Sequence, residues 1–241
     1  MKDILDLIQQ KQASYAQLPF FQFMRNSSIP PKERLAFAPC AAYFIMSFAD
    51  LNKYILRQEP TEDKIQAILN QHTYEDDFHW QWFLEDMQKL GFDIPVTFND
   101  SLKFLWSEET KISRLLSFQL YQYIAQSQPL EKLVILEAIE ATADIFLSLT
   151  KQITDELQVN TDNEYRYFGS CHLNFEEEHQ ANSTETNLFI ENIYMSPETK
   201  EKSSELVEKV FAIFTQWTEA LLSYACNANS VDTRERSKQV A

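Results

Sequence analysis

The sequence predicts an all-α protein, one bundle of seven or eight helices, and three observations carry that expectation. Glycine occurs only at Gly91 and Gly169, whereas sheet and phosphate-loop folds use glycine freely in their turns. Hydrophobic residues make up 44% of 241 residues, enough for a full core. Long segments place apolar residues at helical spacing, and none alternates as a strand would. No linker divides the chain, so residues 1–226 form one domain, followed by a polar tail at 227–241 that is expected to fray.

The elements follow in order. Residues 2–16 read as an amphipathic helix, and "LPFFQFM" as a short apolar anchor against the core. Pro30-Pro31 opens a helix from Lys32 to about Leu56, apolar around most of its circumference and kinked at Pro39. Thr61 or Glu62 starts the next helix, which runs to Leu90 and stops at Gly91, a residue type suited to a left-handed cap. Asn99-Asp100-Ser101 caps a helix to about Gln126, and Pro129 opens another through "LVILEAIEATADIFLSL". A helix is expected from about Glu164 to Ala181, then a polar loop at 182–186. Ser196-Pro197 begins a final helix to about Ala225.

A formal charge of −15 argues against nucleic-acid binding, which needs a basic face to neutralise phosphates. Cys40, Cys171 and Cys226 are odd in number and widely spaced, which fits a reducing compartment. No apolar run reaches membrane-spanning length and no signal core opens the chain, so the expected location is the cytoplasm, with no membrane partner.

The chain has four histidines, and all stand in two copies of one pattern, His-x3-Asp/Glu-x2-His. The first is His72, Asp76 and His79; the second is His172, Glu176 and His179. At about 100° per residue, positions i, i+4 and i+7 share a stripe roughly 60° wide, so each triplet reaches one point beside its helix. Glu75, four before His79, competes with Asp76, while Asp77, Glu177 and Glu178 read as surface charge. Structural zinc would prefer a compact cysteine set. Imidazoles and carboxylates from several bundle helices instead suit a carboxylate-bridged pair of iron ions, two Fe(2+) per chain. Further carboxylates come from "LEAIEATAD", where Glu137, Glu140 and Asp144 share one face in apolar sequence.

"HTYEDDFHWQWFLEDMQKLG", "LEAIEA" and "YFGSCHLNFEEEH", in that order, resemble the haem-oxygenase-like di-iron oxidases, over about residues 60–185. The resemblance places ligands at His79 with Asp76 or Glu75, at Glu137 or Glu140, and at His172, Glu176 and His179. His72 departs from it, standing where some relatives carry a carboxylate. Haem oxygenase itself is a poor match, since no histidine precedes position 72.

The resemblance implies a haem-oxygenase-like bundle and an O2-dependent oxidase of small amino-acid-like substrates in secondary metabolism. An aromatic amino acid is the favoured substrate, tryptophan-derived and cleaved at a carbon–carbon bond to a nitrile; a fatty acid or other small carboxylate is the alternative. Trp80, Phe83 and Phe168 flank the ligands as candidate substrate contacts, with Arg166 for a substrate carboxylate. An external electron donor and a homodimer are compatible with this reading. Two other classes stand beside it. One is a non-catalytic iron-binding bundle. The other is a metal-free hydrolase using Cys171, which lacks an evident base.

Overall fold

The computed structural model describes residues 1–159, 161, 163–172 and 184–239. Among them every regular element is helical. The central element is α9, Pro129–Gln158, 30 residues long, or about 45 Å. Its start is specified locally. The Gln128 side chain accepts from the backbone N–H of Glu131, Glu131 reaches back to the N–H of Gln128, and Pro129 occupies the first turn. Around α9 pack α1 (Lys2–Tyr15), α2 (Pro19–Arg25), α3 (Pro31–Arg34), α5 (Lys64–Asp76) and the last helix, α11 (Pro197–Gln239). On the far side, α4 (Ala38–Leu51) packs against α6 (His79–Lys89) and α8 (Lys111–Ala125). Two short helices, α7 (Phe98–Leu105) and α10 (Thr184–Glu191), complete the set.

An aromatic column runs through the core. Phe20 meets Phe37 at 5.0 Å between centroids, Phe37 meets Phe146 at 5.5 Å, and Phe168 meets both Phe37 and Phe83, at 6.3 and 5.8 Å. The "PFFQFM" anchor thus inserts Phe20, Phe21 and Met24 beneath α9. Buried Arg34 locks α3 in place, donating to the Met24 carbonyl and pairing with Glu156 on α9.

Several boundaries differ from the sequence reading, each for a physical reason. Pro39 kinks nothing: the chain turns at 35–37, burying Leu35 and Phe37, and α4 restarts with the proline in its first turn, where a missing N–H is harmless. α4 then ends in a single π-helical turn, Asn52–Leu56. Asp63, rather than Thr61 or Glu62, caps α5, accepting from the N–H groups of Ile65 and Gln66. The predicted helix to Leu90 is two helices, broken at Asp77 and Phe78 (φ −120°, ψ −5°). No glycine or proline marks that break.

Arg57 holds it. The guanidinium donates to Thr73 Oγ1 at 2.9 Å and to Asp77 at 2.8 Å, and lies over the Tyr74 ring. A cation is well placed there, against the negative end of α5. Asp77 is therefore a structural partner and not a surface charge.

Gly91 stands at φ 75°, as its capping role requires. Thr97 caps α7, and Thr110 and Arg114 donate to the α7 terminal carbonyls, so the single helix expected from Asn99 to Gln126 is also a pair. Residues 163–169 are not helical; the described helix begins at Ser170. The expected loop at 182–186 lies partly outside the described residues. The last helix continues to Gln239 instead of ending near Ala225. No helix among the described residues is long and apolar enough to cross a membrane.

Phe37 is fully buried and touches three other core rings. Phe37→Ala should therefore cost about 3–5 kcal/mol. Denaturant unfolding would measure this, and a loss below about 1 kcal/mol would mean the column is not the core.

Candidate metal centre

The break between α5 and α6 shapes the site. His72 and Asp76 lie in the last turns of α5, and His79 opens α6. The first triplet is therefore delivered by two helices, not by one stripe. Its members still converge. His72 Nε2 lies 2.9 Å from Asp76 Oδ2, and His79 Nδ1 lies 3.5 Å from Asp76 Oδ1. Asp76 thus sits between two imidazoles and turns one oxygen toward each. From α9, Glu140 Oε1 approaches His72 Nε2 at 3.3 Å. Ligand atoms of His72, Asp76 and Glu140 all lie within 4.8 Å of one another.

His172 arrives from the other sequence motif. Its ring contacts that of His79 at 4.3 Å between centroids. Trp82 stacks on His79 at 4.7 Å and meets His172 edge-on at 6.0 Å, so one indole supports both imidazoles. His172 of the second motif therefore faces His79 of the first. Glu176 and His179 lie outside the described residues.

The remaining sequence candidates divide. Glu140 joins the cluster directly. Glu137, one turn earlier on α9, is close enough for His72 to act on it electrostatically, and burial pushes its carboxyl above the usual range. Glu75 accepts a hydrogen bond from Gln71 at 3.1 Å. Asp144 accepts from Gln12 on α1, which also donates to the Ala141 carbonyl.

The electrostatics are those of a metal-free donor set. Burial alone would lower His72, but the Asp76 and Glu140 carboxylates overcome it and hold the imidazole well above its usual value. Burial likewise opposes ionisation of Asp76, yet the His72 imidazolium holds that carboxyl below the usual carboxylate range. Burial and the neighbouring His172 push His79 down to about 3. A proton on His72 is thus the cation that the largely buried Asp76 needs and half-exposed Glu140 shares, and a metal ion could take its place.

A cavity of ≈ 80 Å³ opens against this wall. Asp76, His79, Glu140 and His172 line its polar side, and Phe44, Ile45, Phe146 and Trp217 are among its apolar residues. Of the expected substrate contacts, Trp80 lines it. Phe83 and Phe168, both fully buried, belong to the aromatic column instead. Arg166 lies over the outer face of Trp82 and near Glu85, and no Lys or Arg is among the described residues of the lining. Cys171 is a half-buried free thiol.

Sequence reasoning missed Asp86 and Tyr15, whereas Tyr167 was among the aromatics expected to flank the ligands. Asp86 is completely buried on α6 and accepts hydrogen bonds from three successive backbone N–H groups at 166–168. Its signal was legible: it shares the buried face of α6 with Trp82 and Phe83, where a lone carboxylate needs partners. Tyr167 packs on His172 at 4.8 Å, and both tyrosines line the cavity.

The chain matches no known family model and no curated protein sequence.

The opposite shifts of His72 and His79 make a direct expectation. In metal-free protein, imidazole resonances should show His72 still charged above the ordinary histidine range, while His79 stays neutral until about pH 3. Both rings titrating together near 6.5 would mean that the cluster does not form in solution.

Proposed function

We propose that the chain is a haem-oxygenase-like di-iron oxidase that uses O2 to oxidise a small amino-acid-like substrate, with an aromatic amino acid favoured. The observation that carries the reading is the convergence of Asp76, His79, Glu140 and His172 on one wall of an aromatic cavity, with His72 against Asp76 and Glu140. The donors are imidazole nitrogens and carboxylate oxygens, a mixture suited to ferrous iron and not to a thiolate-selecting metal. They come from α5, α6 and α9 and from the helical residues 170–172, as bundle-held di-iron sites require.

His72, Asp76 and Glu140 fit one cation as they stand, and His79 and His172 stand on the far side of Asp76. Glu176 and His179, from the second motif, complete the proposed set. Iron held there would supply electrons to O2 and Lewis acidity to the substrate. The protein's own part is to orient and exclude. Asp76 fixes the relation between His72 and His79, and Trp82 buttresses the two facing imidazoles. The apolar wall keeps water from the reacting atoms. Tyr15 and Thr142 add hydroxyl groups to that wall, and burial keeps the Tyr15 phenol protonated.

The cavity is about half the ~150 Å³ that accommodates a benzene ring, so an aromatic substrate requires side chains such as Trp80 to move aside. That small volume also favours a second reading, a bundle that holds iron without turning over an organic substrate. Under both readings metal uptake displaces the His72 proton, so apparent affinity rises with pH and weakens as the medium becomes acidic.

Anaerobic loading with ferrous ion, followed by metal analysis and O2 exposure with a panel of amino acids and fatty acids, tests the proposal. About two irons per chain should bind. O2 uptake should accelerate with an aromatic amino acid. Glu140→Ala should lose iron from one position and turnover with it, while helical circular dichroism is retained. Iron bound without product formation would leave the storage reading. Fatty acids alone accelerating uptake would overturn the substrate class. Failure to bind iron would overturn both readings.

A further inference from the structure

We propose that Asp86 is a positioning residue for His172, acting through two peptide groups to set which imidazole nitrogen carries the proton. The proposal takes His172 as a ligand and to that extent rests on the reading above.

Asp86 follows His79 by seven residues on α6 and is completely buried. Its Oδ2 accepts from the N–H groups of Tyr167 and Phe168, each at 2.9 Å, and its Oδ1 from that of Arg166 at 3.0 Å. Three successive N–H groups aimed at one anion form a backbone nest, here filled by the protein's own carboxylate. Lys89, one turn on, approaches Asp86 at 3.6 Å and donates to the Glu164 carbonyl. The N–H groups so engaged cannot serve a helix, which explains why 163–169 departs from one.

The consequence lies on the opposite edge of the same peptides. In a trans peptide the N–H and C=O point in opposite directions. The peptide whose N–H belongs to Tyr167 carries the Arg166 carbonyl, which accepts the backbone N–H of His172 at 3.1 Å. The next peptide, whose N–H belongs to Phe168, carries the Tyr167 carbonyl, 3.1 Å from His172 Nδ1. A carbonyl only accepts, so Nδ1 carries the proton. Asp86 thus grips two adjacent peptides from behind, and their carbonyls hold the backbone and the ring of His172 in front. The carbonyl bond selects the Nδ1–H form of the neutral ring, the tautomer in which a histidine ligates through Nε2. One helix, α6, thereby carries His79 and the anchor of His172 together.

The test uses metal-free and cobalt-titrated full-length protein. Long-range proton–nitrogen NMR, recorded where His172 is neutral, should show it as the Nδ1–H tautomer in the wild type. Asp86→Asn should shift it toward the Nε2–H form and weaken cobalt binding about 10–100-fold. Thr154→Val is the matched control, since Thr154 Oγ1 donates to the Phe168 carbonyl in the same segment at 3.3 Å. It should lower the melting temperature and leave tautomer and affinity unchanged.

An Nε2–H tautomer in the wild type, or Asp86→Asn retaining both the Nδ1–H tautomer and full affinity, overturns the proposal. Should Asp86→Asn fail to fold, the wild-type tautomer decides. Absence of cobalt and iron binding in the wild type would count against the oxidase reading, and the tautomer would still judge Asp86.

Discussion

A carboxylate taken out of water must be met by a cation or by N–H donors, and the centre of this bundle is organised around that requirement. Asp76 meets it with the His72 imidazolium, which half-exposed Glu140 shares, and Asp86 meets it with three backbone amides. Each solution joins distant parts of the chain. His72 and Glu140 connect α5 to α9; Asp86 connects α6 to the segment that ends in His172. Had these acids been apolar, the helices would still pack, but nothing would fix their relative register at the site.

The surrounding frame is apolar and specified by simpler rules. α9 is capped at its start and buried along most of its length, so it is a fixed reference for Glu140. The aromatic column continues from α2 through Phe37 and Phe146 to Phe168, the residue whose N–H is held by Asp86. The His172 segment is thus gripped by the core through a ring and by α6 through a carboxylate.

The helical class, the Gly91 stop, the α9 start and the approach of His79 to His172 were legible in the sequence, because each rests on local chemistry or on periodicity. The division of the helix expected to run to Leu90 was not. It depends on Arg57, about twenty residues before the break, which no local propensity reports. The interruptions after Leu105 and before Ser170 are similar, since Arg114 and Asp86 satisfy backbone groups from outside the local sequence. Aromatic neighbours of the ligands were also a poor guide to the cavity. Phe83 and Phe168 are adjacent to the site in sequence but face the core, whereas Tyr15 reaches the cavity from the opposite end of the chain.

The break at Asp77 and Phe78 has a mechanical consequence. On one continuous helix, the offset between Asp76 and His79 would be set by helical rise, and changing it would require unwinding a turn. Here two residues outside both helices carry the angle between them. That angle is set by side chains from elsewhere, Arg57 on Thr73 and Asp77, and Asp86 on the amides at 166–168, so the spacing of the imidazoles answers to tertiary contacts and not to helical rise.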